Sequence, residues 1–166
     1  MVGHLSSLPF IEQNDLFHTF FGGPPPEGRP ADGEARHSQQ PGESSLRVLV
    51  VDDDRRIADT TAAVLQLAGF DVKTAYNGES ALDTAATFRP DCLLSDVVMG
   101  GMNGVELATA IKQRYPGTRV VLMSGQAGVS EILDQAEQQG LEFQILGKPI
   151  HPRNLIEELR KTGNGG

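Results

Sequence analysis

The sequence predicts an α/β domain, five parallel strands in one sheet with helices on both faces, following a polar N-terminal extension. Two observations predict it. Short apolar runs alternate with helix-spaced segments five times after residue 45, and strand–helix repetition gives a parallel sheet with right-handed crossovers. The runs are nearly continuous in Val, Leu and Ile, as strands buried on both faces require.

Leu46 to Val51 is the first run, aliphatic apart from Arg47. Asp53 or Asp54 can cap the helix after it, with Ile57, Thr61, Val64, Leu65 and Ala68 facing inward and Gly69 at its end. Phe70 to Ala75 reads as the second strand, and Ala81, Leu82, Ala85 and Phe88 give the second helix. Cys92 to Ser95 is the third strand, stopping on Asp96. The chain then loops through Gly100, Gly101 and Asn103-Gly104 to a third helix lined by Val105, Ala108, Ile111 and Tyr115. Arg119 to Ser124 is the fourth strand. Val129, Ile132, Leu133 and Ala136 mark a helix ending at Gly140. Phe143 to Leu146 is the fifth strand, and a last helix starts near Pro152 with Leu155, Ile156 and Leu159 inward.

Residues 1–45 have a different composition. They hold six of the ten prolines, and Gly22 to Ser45 is almost without apolar residues, so ordering it would recover little burial. A disordered linker is expected there. Before it, Phe10, Ile11, Leu16, Phe17, Phe20 and Phe21 could form one face of a short docking helix, or could be a remnant of an upstream protein or of a misplaced start. The expected division is an extension over 1–45, a folded domain over 46–161 and a flexible tail over 162–166. With so few residues after the last helix, no attached DNA-binding domain is expected.

The net charge of −8 and pI near 4.9 speak against a nucleic-acid backbone as partner. One cysteine excludes an internal disulfide framework, and Cys92 in an apolar run reads as a buried small hydrophobe. No stretch is apolar for long enough to span a bilayer. The N-terminus makes a poor secretory signal, so a cytoplasmic location is expected.

Chemistry-bearing residues gather just past the strands. Asp52, Asp53 and Asp54 follow the first, Asp96 the third; Ser124-Gly125 ends the fourth, and Gly147-Lys148-Pro149 follows the fifth. In a parallel sheet these ends share one edge, where open α/β folds carry their sites. Carboxylates a few ångström apart repel, and a divalent cation is the usual way to keep them ionised. Magnesium suits oxygen ligands with a phosphate oxygen. Lys148 can pair with a phosphoryl group and Ser124 can donate to one of its oxygens. The set has the makings of a cage for phosphoryl transfer to a carboxylate.

Val50-Val51-Asp52-Asp53, Ser95-Asp96 with Met99 and Asn103-Gly104, Ser124-Gly125 and Lys148-Pro149 together resemble the receiver domain of two-component response regulators, the CheY-like form of the flavodoxin-like fold. The resemblance covers residues 46 to about 161. It implies that Asp96 accepts a phosphoryl group from a phosphohistidine on a histidine kinase or phosphotransfer protein. It also implies Mg2+ bound directly by Asp53, Asp96 and the Val98 backbone carbonyl, and by Asp52 through water. Lys148 and Ser124 would hold the phosphoryl group. The output would be a protein–protein contact with a target the sequence does not name. Such a domain is a signalling module that catalyses its own phosphorylation and dephosphorylation rather than a separate enzyme.

Departures are also legible. Gly100 stands where the family usually has proline, and Ile145 where many members carry an aromatic residue that takes part in switching. Val98 cannot hydrogen-bond a water and Gln126 can, so the phosphorylated lifetime is expected to depend on Gln126. Two other readings exist: a degenerate receiver that only binds proteins, and a haloacid-dehalogenase-like phosphatase with Asp52 as nucleophile and Asp54 as acid. The second leaves Asp96 without a role and meets Arg55 where that family has Gly or Thr.

Overall fold

The computed structural model describes residues 45–161, apart from 126–129, 139 and 142. The Phe-rich segment, the linker, Gln126, Val129 and the tail all lie outside the described residues. The rest follows five strand–helix units: β1 Arg47–Val51, α1 Arg55–Leu67, β2 Asp71–Ala75, α2 Gly78–Phe88, β3 Cys92–Asp96, α3 Gly104–Arg114, β4 Arg119–Ser124, α4 Ser130–Gln138, β5 Gln144–Gly147 and α5 Pro152–Arg160. All strand pairs are parallel and the order is β2-β1-β3-β4-β5. The flavodoxin-like (βα)5 architecture expected from the sequence is the one found.

Alternate side chains of each central strand enter opposite faces, because the strand period is two. On one face Leu49, Val51, Leu93, Val97, Val120 and Leu122 pack with Ala81, Ala85, Phe88, Leu107, Ala108 and Ile111 from α2 and α3. On the other, Val48, Val50, Leu94, Val121 and Met123 are buried, as are Ala58, Ala62 and Leu65 of α1 and Leu155, Ile156 and Leu159 of α5. α1 and α5 touch directly, with an Arg160 guanidinium N–H donating to the Ala68 carbonyl at 3.0 Å.

Local chemistry sets the element ends. The Asp54 carboxylate accepts the Arg56 N–H at 2.9 Å and caps α1. Asn103, expected in a turn, is the N-cap of α3: its side chain takes the Val105 and Glu106 N–H groups, and Glu106 reaches back to the Asn103 N–H at 2.9 Å. His151 caps α5 with Pro152 in its first turn.

β1 and β2 start one residue later than expected, at Arg47 and Asp71, β3 runs one residue further, to Asp96, and two further differences have a physical reason. The buried stripe of α1 runs through Ala58 and Ala62, not Ile57 and Thr61, and Ile57 is 42% exposed. Alanine carries no periodic signal of its own, so its neighbours decide the apparent face. The fifth strand starts at Gln144 instead of Phe143. Phe143 packs against the core from just outside the strand, and the Gln144 amide is engaged by Arg119 and Glu158.

Candidate functional site

The strand order reverses between β1 and β3, and at such a point the two loops diverge and leave a crevice at the carboxyl ends. Asp52 and Asp53 follow β1 there, and Asp96 ends β3. One carboxylate oxygen from each of the three lies within 4.8 Å of the others. Lys148, two strands away after β5, reaches the same spot: its Nζ is 3.1 Å from Asp52 Oδ2 and 3.3 Å from Asp96 Oδ2. The lysine is held by its own backbone, whose N–H donates to the Ser124 carbonyl at 2.7 Å, and the Lys148–Pro149 peptide is cis.

The three acids have different surroundings. Asp52 is buried, 1% exposed, and its other oxygen accepts the Asp54 N–H at 2.9 Å. Asp53 is exposed. Asp96 is partly covered, and its carboxyl is held above the usual carboxylate range. Burial pushes it up; Lys148 pulls it down, Asp52 pushes it up again, and the Val98 N–H pulls it down. For Lys148, burial works against the ammonium, but the Asp52 hydrogen bond and the Asp96 charge outweigh it and hold the group above its ordinary range. The arrangement is one cation shared by clustered acids, with negative charge in excess.

Of the residues singled out in the sequence, Asp52, Asp53, Asp96 and Lys148 come together. Ser124 stands at the same edge, in register with Gly147, and contributes its carbonyl to placing the lysine. Val98 is 58% exposed beside Asp96. Asp54 faces away to cap α1, which leaves it no part in the acid cluster.

Sequence reasoning placed Gly104 in a turn and missed its close approach to β3. A Cβ there would overlap the Asp96 carbonyl oxygen and lie 2.8 Å from Val97 Cα, so only glycine lets α3 start this close to the acid. Its N–H bonds the Val97 carbonyl at 2.9 Å. The glycine was visible, but the approach of backbone to backbone was not.

The set of oxygen donors suits a hard divalent cation such as magnesium, and the excess of carboxylate over ammonium leaves charge for it to neutralise. A crevice of about 700 Å3 along β2, lined by Asp59, Lys73 and Asp83, includes none of these residues. The acids sit on the open sheet edge, where a group carried on another protein can reach them.

Residues 48–160 match the family described as response regulator receiver domain. Response regulator MprA of Mycobacterium tuberculosis (strain ATCC 25618 / H37Rv) is 30% identical over 116 residues, which is 70% of this chain and 50% of that protein. The DNA-binding response regulator MtrA of Mycolicibacterium paratuberculosis is 31% identical over 114 residues, 69% of this chain and 49% of its own. The chain thus spans about half the length of these curated relatives. Among solved structures, the Vibrio cholerae chemotaxis protein CheY4 aligns with a TM-score of 0.64 at 31% identity, over 71% of this chain and 98% of that one. A CheY-like receiver domain protein from Methanospirillum hungatei JF-1 aligns with the same TM-score at 27% identity, over 71% and 93%.

Proposed function

Because the chain belongs to the response regulator receiver family, we propose that Asp96 is its phosphoacceptor and a phosphohistidine on a histidine kinase or phosphotransfer protein the donor. The observation that carries this is the convergence of Asp52, Asp53 and Lys148 on the tip of β3, where Asp96 stands. In the transfer, an Asp96 carboxylate oxygen forms the new O–P bond. The donor P–N bond breaks, and the imidazole leaves with its electron pair.

Each residue has a role that its position supports. Lys148, already paired with both acids, can follow the phosphoryl oxygens as charge moves onto Asp96. Ser124 donates its hydroxyl to one of those oxygens. Asp53, Asp96 and the Val98 carbonyl would hold Mg2+ directly, with Asp52 acting through water; the ion supplies positive charge for the transferring group. Ile57 in the first turn of α1 and Val98 beside Asp96 are 42% and 58% exposed, apolar and near the same edge. A donor protein would cover them.

We assign the receiver to residues 46–161, with 1–45 an extension and 162–166 a tail. The domain works as a cytoplasmic signalling module that catalyses its own phosphoryl chemistry. The net charge of −8 favours a protein target over direct nucleic-acid contact. Among the described residues no helix is long and apolar enough to cross a membrane.

The test is incubation with acetyl phosphate and MgCl2, read by intact mass. Wild type should gain one phosphoryl mass, and Asp96→Asn none. Labelling that survives in Asp96→Asn and is lost in Asp52→Asn would favour a phosphatase-like use of Asp52.

A further inference from the structure

The loop from Val97 to Asn103 leaves directly from Asp96 at the end of β3, and its Val98 N–H favours the charged form of the Asp96 carboxyl. Its apex cannot hold its own shape. Gly100 and Gly101 are exposed, Gly101 has φ of 79°, and a Cβ at either would meet nothing within 4 Å. A proline at residue 100 would restrict the backbone; this chain has none there. What holds the loop is therefore at its flanks. The Gly104 N–H bonds the Val97 carbonyl at 2.9 Å, and Met99 is buried. Met102 is the remaining anchor. It packs on the core and lies over the bare Cα of Gly78, at the start of α2.

This contact is closer than any other residue at 78 would permit. A Cβ at Gly78 would lie 2.6 Å from Met102 Sδ, 2.7 Å from its Cβ and 2.8 Å from its Cγ. The side-chain end could swing away, but a Cβ is fixed to its backbone, so relieving the overlap moves the loop itself. We propose that Met102 seated on Gly78 is a positioning pair that holds the 97–103 loop, and with it the Asp96 carboxyl, in transfer geometry. The proposal rests on Asp96 being the acceptor.

The test uses the full chain with saturating acetyl phosphate and MgCl2. The rate of phosphoryl gain is read by intact mass and folding by far-ultraviolet circular dichroism. Met102→Ala and Gly78→Ala should transfer about tenfold more slowly while remaining folded, within the roughly 10²-fold that a 1 Å misplacement can cost. Met102→Leu, which keeps the volume, should stay within about twofold. A role in stability alone would move the melting temperature and leave the saturated rate of folded protein unchanged. Either alanine variant transferring at the wild-type rate overturns the proposal, as does Met102→Leu falling as far as Met102→Ala. Gly78→Ala removes no core atom, so it decides alone if Met102→Ala does not fold. Wild type that takes no phosphoryl group refutes the acceptor reading instead.

Discussion

Replacing Lys148 with methionine removes the one cation within reach of Asp52 and Asp96 among the described residues, while keeping an apolar stem of similar length. At 3.1 Å and an effective dielectric constant of about 20, the Lys148–Asp52 attraction is of order 5 kcal/mol. Most of that is offset by desolvating both groups. Breaking a buried pair by deleting one partner costs about 3–5 kcal/mol. Here the cost should fall near or just below that lower end, about 2–3 kcal/mol. Lys148 is 24% exposed, and Asp52 keeps the Asp54 N–H on its other oxygen.

The informative measurement is the same comparison with a divalent cation. A ligand binding only the native state stabilises by RT ln(1 + [L]/Kd), about 2.7 kcal/mol at a hundredfold excess over Kd. Without the lysine, the carboxylates bind Mg2+ more tightly, so the ion should stabilise Lys148→Met more than wild type. Urea denaturation should show the gap of about 2–3 kcal/mol in EDTA narrowing with millimolar MgCl2. Phosphorylation should meanwhile fall by roughly 10²-fold or more, because metal charge does not replace the ammonium's contact with the phosphoryl oxygens. A gap that is the same in EDTA and in MgCl2 would show that lysine and cation do not answer the same carboxylates, and would refute the reasoning.

Four further outcomes are expected. Gly104→Ala must push Val97 Cα from 2.8 Å to at least 3.4 Å and displace the Asp96 carbonyl, so transfer should slow about 10- to 100-fold, measured by intact mass on folded protein. Cys92 is 1% exposed and burial pushes its thiol up to about 12, so a maleimide should label it only on unfolding, and rapid labelling of native protein would contradict the packing. Asp91 is held below the usual carboxylate range by Arg47, so the pair's contribution is present above about pH 4 and lost as pH falls through the lowered value. Both side chains are about 40% exposed and screened by solvent, so Arg47→Met should flatten the acid limb of the stability curve only slightly, read by denaturation from neutral to strongly acidic pH. Deleting residues 1–45 should leave the phosphorylation rate and the melting temperature nearly unchanged, since all five strands lie beyond them.

The parts of the fold that could be read from sequence are those where one residue type answers one physical demand. Val50-Val51, Leu93-Leu94 and Val120-Val121 are buried on both faces of a sheet, and nothing polar could replace them. Asp54 and Pro152 mark helix starts because a side-chain acceptor and a missing N–H each suit that position. The acids and Lys148 were legible because the sheet sends every strand's carboxyl end to one edge. The inward face of α1 was not, because Ala58 and Ala62 show no preference until they meet the sheet. Edge strand β5 was displaced by one residue for a similar reason. Its alternate partly covered and exposed positions give no continuous run, and the side-chain bonds of Gln144 decide where it starts.

The two ends of the sheet handle charge in opposite ways. At the amino ends, Arg47 takes both oxygens of Asp91 and the Phe88 carbonyl, while the Arg47 and Arg119 backbones bond that of Asp91. Arg119 is joined to Glu158 and Gln144, and Thr118 donates to the Pro90 carbonyl at 2.8 Å. Those acids have cationic partners in place. At the carboxyl ends three acids cluster and one lysine pairs with two of them, an arrangement that costs stability and is retained where function needs uncompensated charge. A site of this kind is tolerable because the strands delivering it are anchored elsewhere. β1 and β3 are braced to each other at Arg47–Asp91, a full strand length from Asp52 and Asp96, so charge can change at one end without the register slipping at the other. Loosening the amino end with Arg47→Met should therefore lower stability and leave the phosphorylation rate of the folded protein alone. Disturbing Lys148 should change both.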